Sequence, residues 1–108
     1  MLLDIVRDAD ILDLLGAVGI MRACTSHSCL PEYDPENLKG EIWGASGREY
    51  DSRLDAGRGT GDSIVDQINF QISCYDNLST EAAKRLAGPL VEFMRGYVLE
   101  FEAEVKGA

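Results

Sequence analysis

Residues 63–75 read Ser-Ile-Val-Asp-Gln-Ile-Asn-Phe-Gln-Ile-Ser-Cys-Tyr, and the fold turns on how this stretch is taken. Ile64, Asp66, Ile68, Phe70, Ile72 and Cys74 alternate with Val65, Gln67, Asn69, Gln71, Ser73 and Tyr75, and a period of two predicts a strand. One face is mainly apolar and the other mostly amide and hydroxyl, as in an antiparallel sheet that packs on a core from one side. Asp76 and Asn77 end it. A helix then starts near Ser79: Ser79 or Thr80 caps it, Glu81 suits its positive end, and Ala82, Ala83, Leu86, Leu90, Val91 and Met94 form its apolar stripe. Arg95 and Gly96 close this helix, and Pro89 beside Gly88 predicts a bend within it.

Working outward, Leu99, Phe101, Ala103 and Val105 alternate with Glu100, Glu102 and Glu104, which predicts a last strand with one acidic face. Upstream, Gly57, Gly59 and Gly61 suggest a flexible hairpin tip over 55–62, joined to a weaker strand over 41–50. Pro31, Asp34, Pro35, Asn37 and Gly40 make 26–40 a surface loop. At the start, Leu2, Leu3, Val6, Ile11, Leu14, Leu15 and Val18 fall near helical spacing. They predict a helix over 2–18 that breaks near 8–10 and ends at Gly16 and Gly19, followed by a short strand over 20–25. The expectation is a single α+β domain over 1–108. Its small antiparallel sheet of about four strands would carry the N-terminal helix and one further helix on one face.

The 108 residues suit a single core, and 45% hydrophobic with 27% charged is too apolar for intrinsic disorder. Nineteen acidic against ten basic residues give a formal charge of −9, which repels phosphate backbones and anionic lipid and so disfavours nucleic-acid binding. Arg48, Arg53 and Arg58 alternate with Glu49, Asp51, Asp55 and Asp62, which reads as a salt-bridged surface or interface. Asp4, Arg7, Asp8 and Asp10 interrupt the apolar start, so neither a membrane span nor a signal peptide is expected, and the three cysteines read as reduced thiols.

Cys24, His27, Cys29 and Cys74 would make a Cys3His zinc set, and a small metal-binding or regulatory module built on them is the alternative reading of the chain. The spacing C-x2-H-x-C with one distant cysteine lacks the two tight pairs of structural zinc sites, so the bland reading is favoured: Cys74 as a core hydrophobe and the other two as ordinary thiols. His27 beside Cys24 or Cys29 could also lower a thiol pKa for nucleophilic attack, but no orienting carboxylate or oxyanion hole is discernible. Asp8 with Asp10 and Asp51 with Asp55 read as solvated acids, and GRGTG at 57–61 lacks the lysine and serine of a phosphate-binding loop. No catalytic residue, cofactor or metal is therefore expected.

INFQISCYD at 68–76, followed at once by STEAAKRLAGPLVEFM at 79–94 and preceded by GREYDSRLDAGRGTGDSIVDQ at 47–67, resembles the tail-completion or tail-terminator proteins of long-tailed phages and prophages. The resemblance covers about 47–97 and implies no catalytic residues. It implies a structural subunit that forms a ring, a hexamer in the family's pattern, capping the tail tube and meeting the head connector. Its expected partners are other copies of itself, the tail-tube protein and the connector protein. Its place would be the virion tail neck, after assembly in the host cytoplasm. On this reading the interaction surface is Gln67, Asn69, Gln71, Ser73 and Tyr75 on the strand's polar face, with Arg53 and Arg58 on the hairpin.

Overall fold

Ser63 and Asp66 close a reciprocal pair of hydrogen bonds: Ser63 Oγ accepts the Asp66 N–H at 3.1 Å, and Asp66 Oδ2 accepts the Ser63 N–H at 3.2 Å. This capping box starts a helix, because it satisfies backbone N–H groups that the first turn leaves without a partner. In the computed structural model, which describes residues 2–107, the stretch expected to be a strand is helix α4, Ile64–Ser73, continued by a short 3₁₀ turn at Cys74–Asn77. The remaining helices are α1 (Leu2–Leu12), α2 (Gly16–Ser26), α3 (Gly47–Asp55) and α5 (Glu81–Gly107). Among the described residues there is no strand, only an isolated bridge between Asp34 and Asn37. The α+β expectation is therefore wrong: the fold is all-helical.

The other end of the capping logic is equally complete. Ile64 N–H donates to the Pro31 carbonyl at 2.9 Å, Val65 N–H to that of Glu32 at 3.2 Å, and Gln67 N–H to that of Ser63 at 3.2 Å. The loop over 26–40 thus supplies, from Pro31 and Glu32, a pair of carbonyls that plug the start of α4. Val65, Ile68 and Ile72, spaced three and four apart, enter the main core. The intervening Asp66, Gln67, Asn69, Gln71 and Ser73 are buried as well, since α2, α3 and α5 all pack around this helix. A helix surrounded on all sides shows no single apolar face, and its alternating letters imitate a strand.

Of the expected strand over 41–50 and hairpin tip over 55–62, residues 41–46 are turn and loop, 47–55 are helix α3, and 56–62 are loop. Ser46 and Glu49 form a second capping box that opens α3. Its far end closes with Arg58 N–H on the Arg53 carbonyl at 2.9 Å and Gly57 N–H on that of Leu54 at 3.0 Å. That pattern needs a left-handed residue just past the helix, which Gly57 supplies at φ +75°. Tyr50 carries α3 onto α4, its ring edge-on to Phe70 with centroids 5.6 Å apart.

α5 runs unbroken for 27 residues, through Pro89 and through the expected strand over 99–105. Ala83, Ala87, Val91, Met94 and Val98 form one buried stripe, which Phe101 extends. Pro89 and Arg85 lie on the exposed side, where water can take up the Arg85 carbonyl that the ring leaves without its donor. The helix expected over 2–18 is instead two, α1 and α2, and Gly16 at φ +72° opens the second where an end was expected. The strand expected over 20–25 is the second half of α2. A Cβ at Gly16 would stand 3.0 Å from Leu90 Cδ2, and Ala17, Ile20 and Cys24 lie beside Phe93 and Tyr97. Further along, Tyr33 meets Phe101 edge-on with centroids 5.1 Å apart. α2 therefore runs alongside α5 in the same direction.

Candidate interaction surface

The polar side chains of α4 are spent inside the molecule. Gln71 Nε2 donates to the carbonyls of Leu14 at 2.8 Å and Gly19 at 2.9 Å, tying down the α1–α2 junction, and its own Oε1 accepts from Gln67 Nε2 at 3.0 Å. Asn69 Nδ2 donates to the Lys39 carbonyl at 2.7 Å, and Ser73 Oγ to that of Phe70. Gln67, Asn69, Gln71 and Ser73 are all buried and Tyr75 is half-buried. The surface expected from them is interior, because a helix spreads the alternating amides over opposite sides and α2, α3 and α5 enclose it.

Arg53 and Arg58 hold a loop in place. Arg53 Nε donates to the Gly59 carbonyl at 3.1 Å, and Arg53 and Arg58 approach Glu41 at 3.3 and 3.8 Å. Arg53 is largely covered, whereas the Arg58 side chain is exposed.

The thiols and the imidazole do not converge. Cys24 on α2 and Cys29 in the following loop are exposed, whereas Cys74 is buried at the end of α4, its thiol donating to the Phe70 carbonyl at 3.5 Å. Burial, reinforced by the charges of Asp51 and Asp76, pushes the Cys74 thiol up to about 11, the opposite of what a nucleophile or metal ligand needs. His27 stands just past the end of α2, its buried Nδ1 without a hydrogen-bond partner. Among the described residues no three of His, Cys, Asp and Glu are grouped to hold a metal ion. The Cys24, His27, Cys29 and Cys74 set is thus not assembled by the fold.

A hollow of about 350 Å³ lies where Tyr33, Asp34, Glu41 and Asp62 surround the start of α4. Three of its acids, Asp34, Glu41 and Asp66, are already engaged. Asp66 accepts Glu41 N–H at 2.7 Å, Asp62 N–H at 3.2 Å and Ser63 Oγ–H at 2.9 Å, Glu41 faces the two arginines, and Asp34 accepts Glu36 N–H at 2.9 Å. With its hydrogen bonds closed internally and the helix start plugged, this hollow offers no pair of carboxylates poised for acid–base work.

What the fold leaves open is apolar. A groove of about 350 Å³ runs between α2 and α5, lined by Ala17, Ile20, Met21, Cys24, Phe93 and Tyr97. Met21 is 72% exposed and Phe93 53%, and Val18 stands beside them on α2. Apart from this groove, the first two turns of α1 leave Leu2, Leu3, Ile5 and Val6 exposed. Single exposed apolar residues are ordinary, but contiguous ones mark contact surfaces. These residues escaped the sequence reading because the apolar letters of α2 were assigned to the end of one helix and a strand. On α2 the signal is the i, i+3 pair of Val18 and Met21, which stay exposed beside the buried Ile20 and Ala23.

No family model, curated protein or solved structure matches this chain. No helix of the described residues is long and apolar enough to cross a membrane.

Proposed function

We propose that this chain is a structural assembly subunit without chemistry of its own, which works by offering apolar helix faces to other proteins. The observation that carries the reading is the row of large apolar side chains left open on α2 and α5, Met21, Phe93 and Tyr97 foremost, while the buried side chains of Asp66, Gln67 and Gln71 are committed to internal bonds. The specific setting we propose is the neck of a phage tail, as a ring-forming terminator between tail tube and head connector. Its support is the wording of 47–97 alone, since the α+β fold implied by that resemblance is not the fold of this chain.

Size-exclusion chromatography with light scattering, on the chain alone and mixed with candidate tail-tube and connector proteins, tests both levels. A stable complex that is lost on Phe93→Glu supports the assembly reading, and a ring with tail-tube binding supports the setting. A chain that stays monomeric at high concentration and enters no protein complex overturns both.

A further inference from the structure

The groove between α2 and α5 is lined mainly by apolar side chains, and two acids follow beyond it on the same side of α5. On α5, Leu86, Leu90, Phe93 and Tyr97 follow at helical spacing along one side, and the same row continues to Glu100 and Glu104. Phe93 and Tyr97 of that row line the groove with Ala17, Ile20 and Met21 of α2. The acidic part is unfavourable within the chain itself. Glu100 and Glu104 are like charges four residues apart, close enough that a hydrogen bond from one to the other, together with the Glu100 charge, raises the Glu104 carboxyl above its usual range. Glu104 also lies in the last turn of α5, where the helix dipole disfavours anions. Lys106 is engaged with Glu102 at 3.4 Å, and among the described residues no Lys or Arg pairs with Glu100 or Glu104. A cation supplied from outside would relieve both penalties.

We propose that the α2–α5 groove receives an amphipathic helix of another protein, apolar side chains against Met21, Phe93 and Tyr97, with a Lys or Arg at one end pairing with Glu100 and Glu104. The inference rests on the assembly-subunit reading and names the kind of partner it uses. A helix laid in a groove is a common recognition mode that needs anchors three and four residues apart, which matches the spacing of Leu90, Phe93 and Tyr97. The chain's charge of −9 favours a basic occupant for this groove, since it steers a cationic partner towards Glu100 and Glu104.

The test uses a fluorescein-labelled peptide of about 15 residues, near the shortest helix that holds in water. It carries Leu at i, i+4 and i+7 and Lys at the outer positions. One companion has Glu in place of Lys, and another has its Leu residues scrambled off one face. The lysine peptide should bind in the micromolar range by fluorescence anisotropy, with the two companions at least about tenfold weaker. Glu100→Gln combined with Glu104→Gln should weaken it about tenfold, whereas Glu32→Gln with Glu36→Gln, removing equal charge elsewhere, should change it less than about twofold. Bound peptide should shield Cys24, which lines the groove, from iodoacetamide while Cys29 reacts as before. Phe93→Glu should abolish binding, with Tyr97→Glu as a second variant and far-ultraviolet circular dichroism confirming that both keep the helical fold.

Equal binding of the glutamate or scrambled peptide, binding that survives Phe93→Glu, or an unshielded Cys24 would overturn the proposal. Self-association by light scattering that is lost in Phe93→Glu would assign the groove to a second copy, overturning this inference while leaving the assembly reading in place.

Discussion

Asp8 of α1 caps the start of α5 from 71 residues away. Its Oδ1 accepts the Ser79 N–H at 2.8 Å, and its Oδ2 accepts the Thr80 N–H at 2.8 Å and the Thr80 hydroxyl at 2.7 Å. The first helix thus adds a second carboxylate to the positive end of the last one, where Glu81 already lies in the first turn. The bond from Ser79 is the main reason the Asp8 carboxyl titrates below its usual 3.8; burial opposes this, while the Thr80 bonds and the Arg7 charge assist it. A depressed carboxyl contributes stability above its unfolded value that is lost as pH falls through the lower folded value. Acid titration followed by circular dichroism should therefore show the native chain losing stability from about pH 4 downward. Asp8→Asn should be less stable at pH 7 and lack that part of the acid loss. Superimposable acid profiles would show that this cap does not couple the two helices.

The Ser63–Asp66 box makes a second expectation quantitative. Ser63→Ala removes one acceptor at a helix start and should cost about 1 kcal/mol in urea unfolding. Asp66→Ala should cost more, about 3 kcal/mol, because the N–H groups of Glu41, Asp62 and Ser63 lose their acceptor together. The double variant should fall short of the sum, since the two residues bond each other.

These boxes also show how much was legible. Ser63-x-x-Asp66 and Ser46-x-x-Glu49 are written plainly in the chain and each precedes helix-compatible spacing, so α3 and α4 could have been read from their caps. The alternation of Ile64 to Cys74 outweighed them because α4 is enclosed: its polar letters meet the carbonyls of Leu14, Gly19 and Lys39, partners that become neighbours only once the chain has folded. The start of α5 near Thr80 was legible because Thr80 and the stripe from Ala83 to Met94 point the same way, and Thr80 Oγ1 does accept the Ala83 N–H at 3.2 Å. The groove was not, because which apolar residues stay uncovered depends on where neighbouring helices stop.

The C-terminal half of α5 offers a direct discrimination between helix and strand. In a strand, Leu99, Phe101 and Val105 would share one face. In α5 only Phe101 reaches the core, against Tyr33, while Leu99 and Val105 face outward. Phe101→Ala should cost about 2 kcal/mol and the fully buried Met94→Ala about 3 kcal/mol, whereas Leu99→Ala and Val105→Ala should stay within about 0.5 kcal/mol. Equal losses at positions 99, 101 and 105 would favour the strand.

Thiol titration separates the cysteines. With Cys24 and Cys29 exposed, and Cys74 buried with its pKa near 11, Ellman's reagent at pH 8 should modify the first two promptly and Cys74 only as the fold opens. Prompt reaction of all three would mean that the end of α4 is open.

The carbonyls of Pro31 and Glu32, seated on the N–H groups of Ile64 and Val65, make the long loop part of the innermost helix. Most of residues 27–46 have no regular structure of their own, and their anchorage is the very place where α4 begins. Lifting this segment away would expose two amides at the heart of the molecule, so loop and helix form one cooperative unit. The stretch richest in turn residues is thereby a fixed wall of the core, and the chain has less freely tolerant surface than its composition suggests.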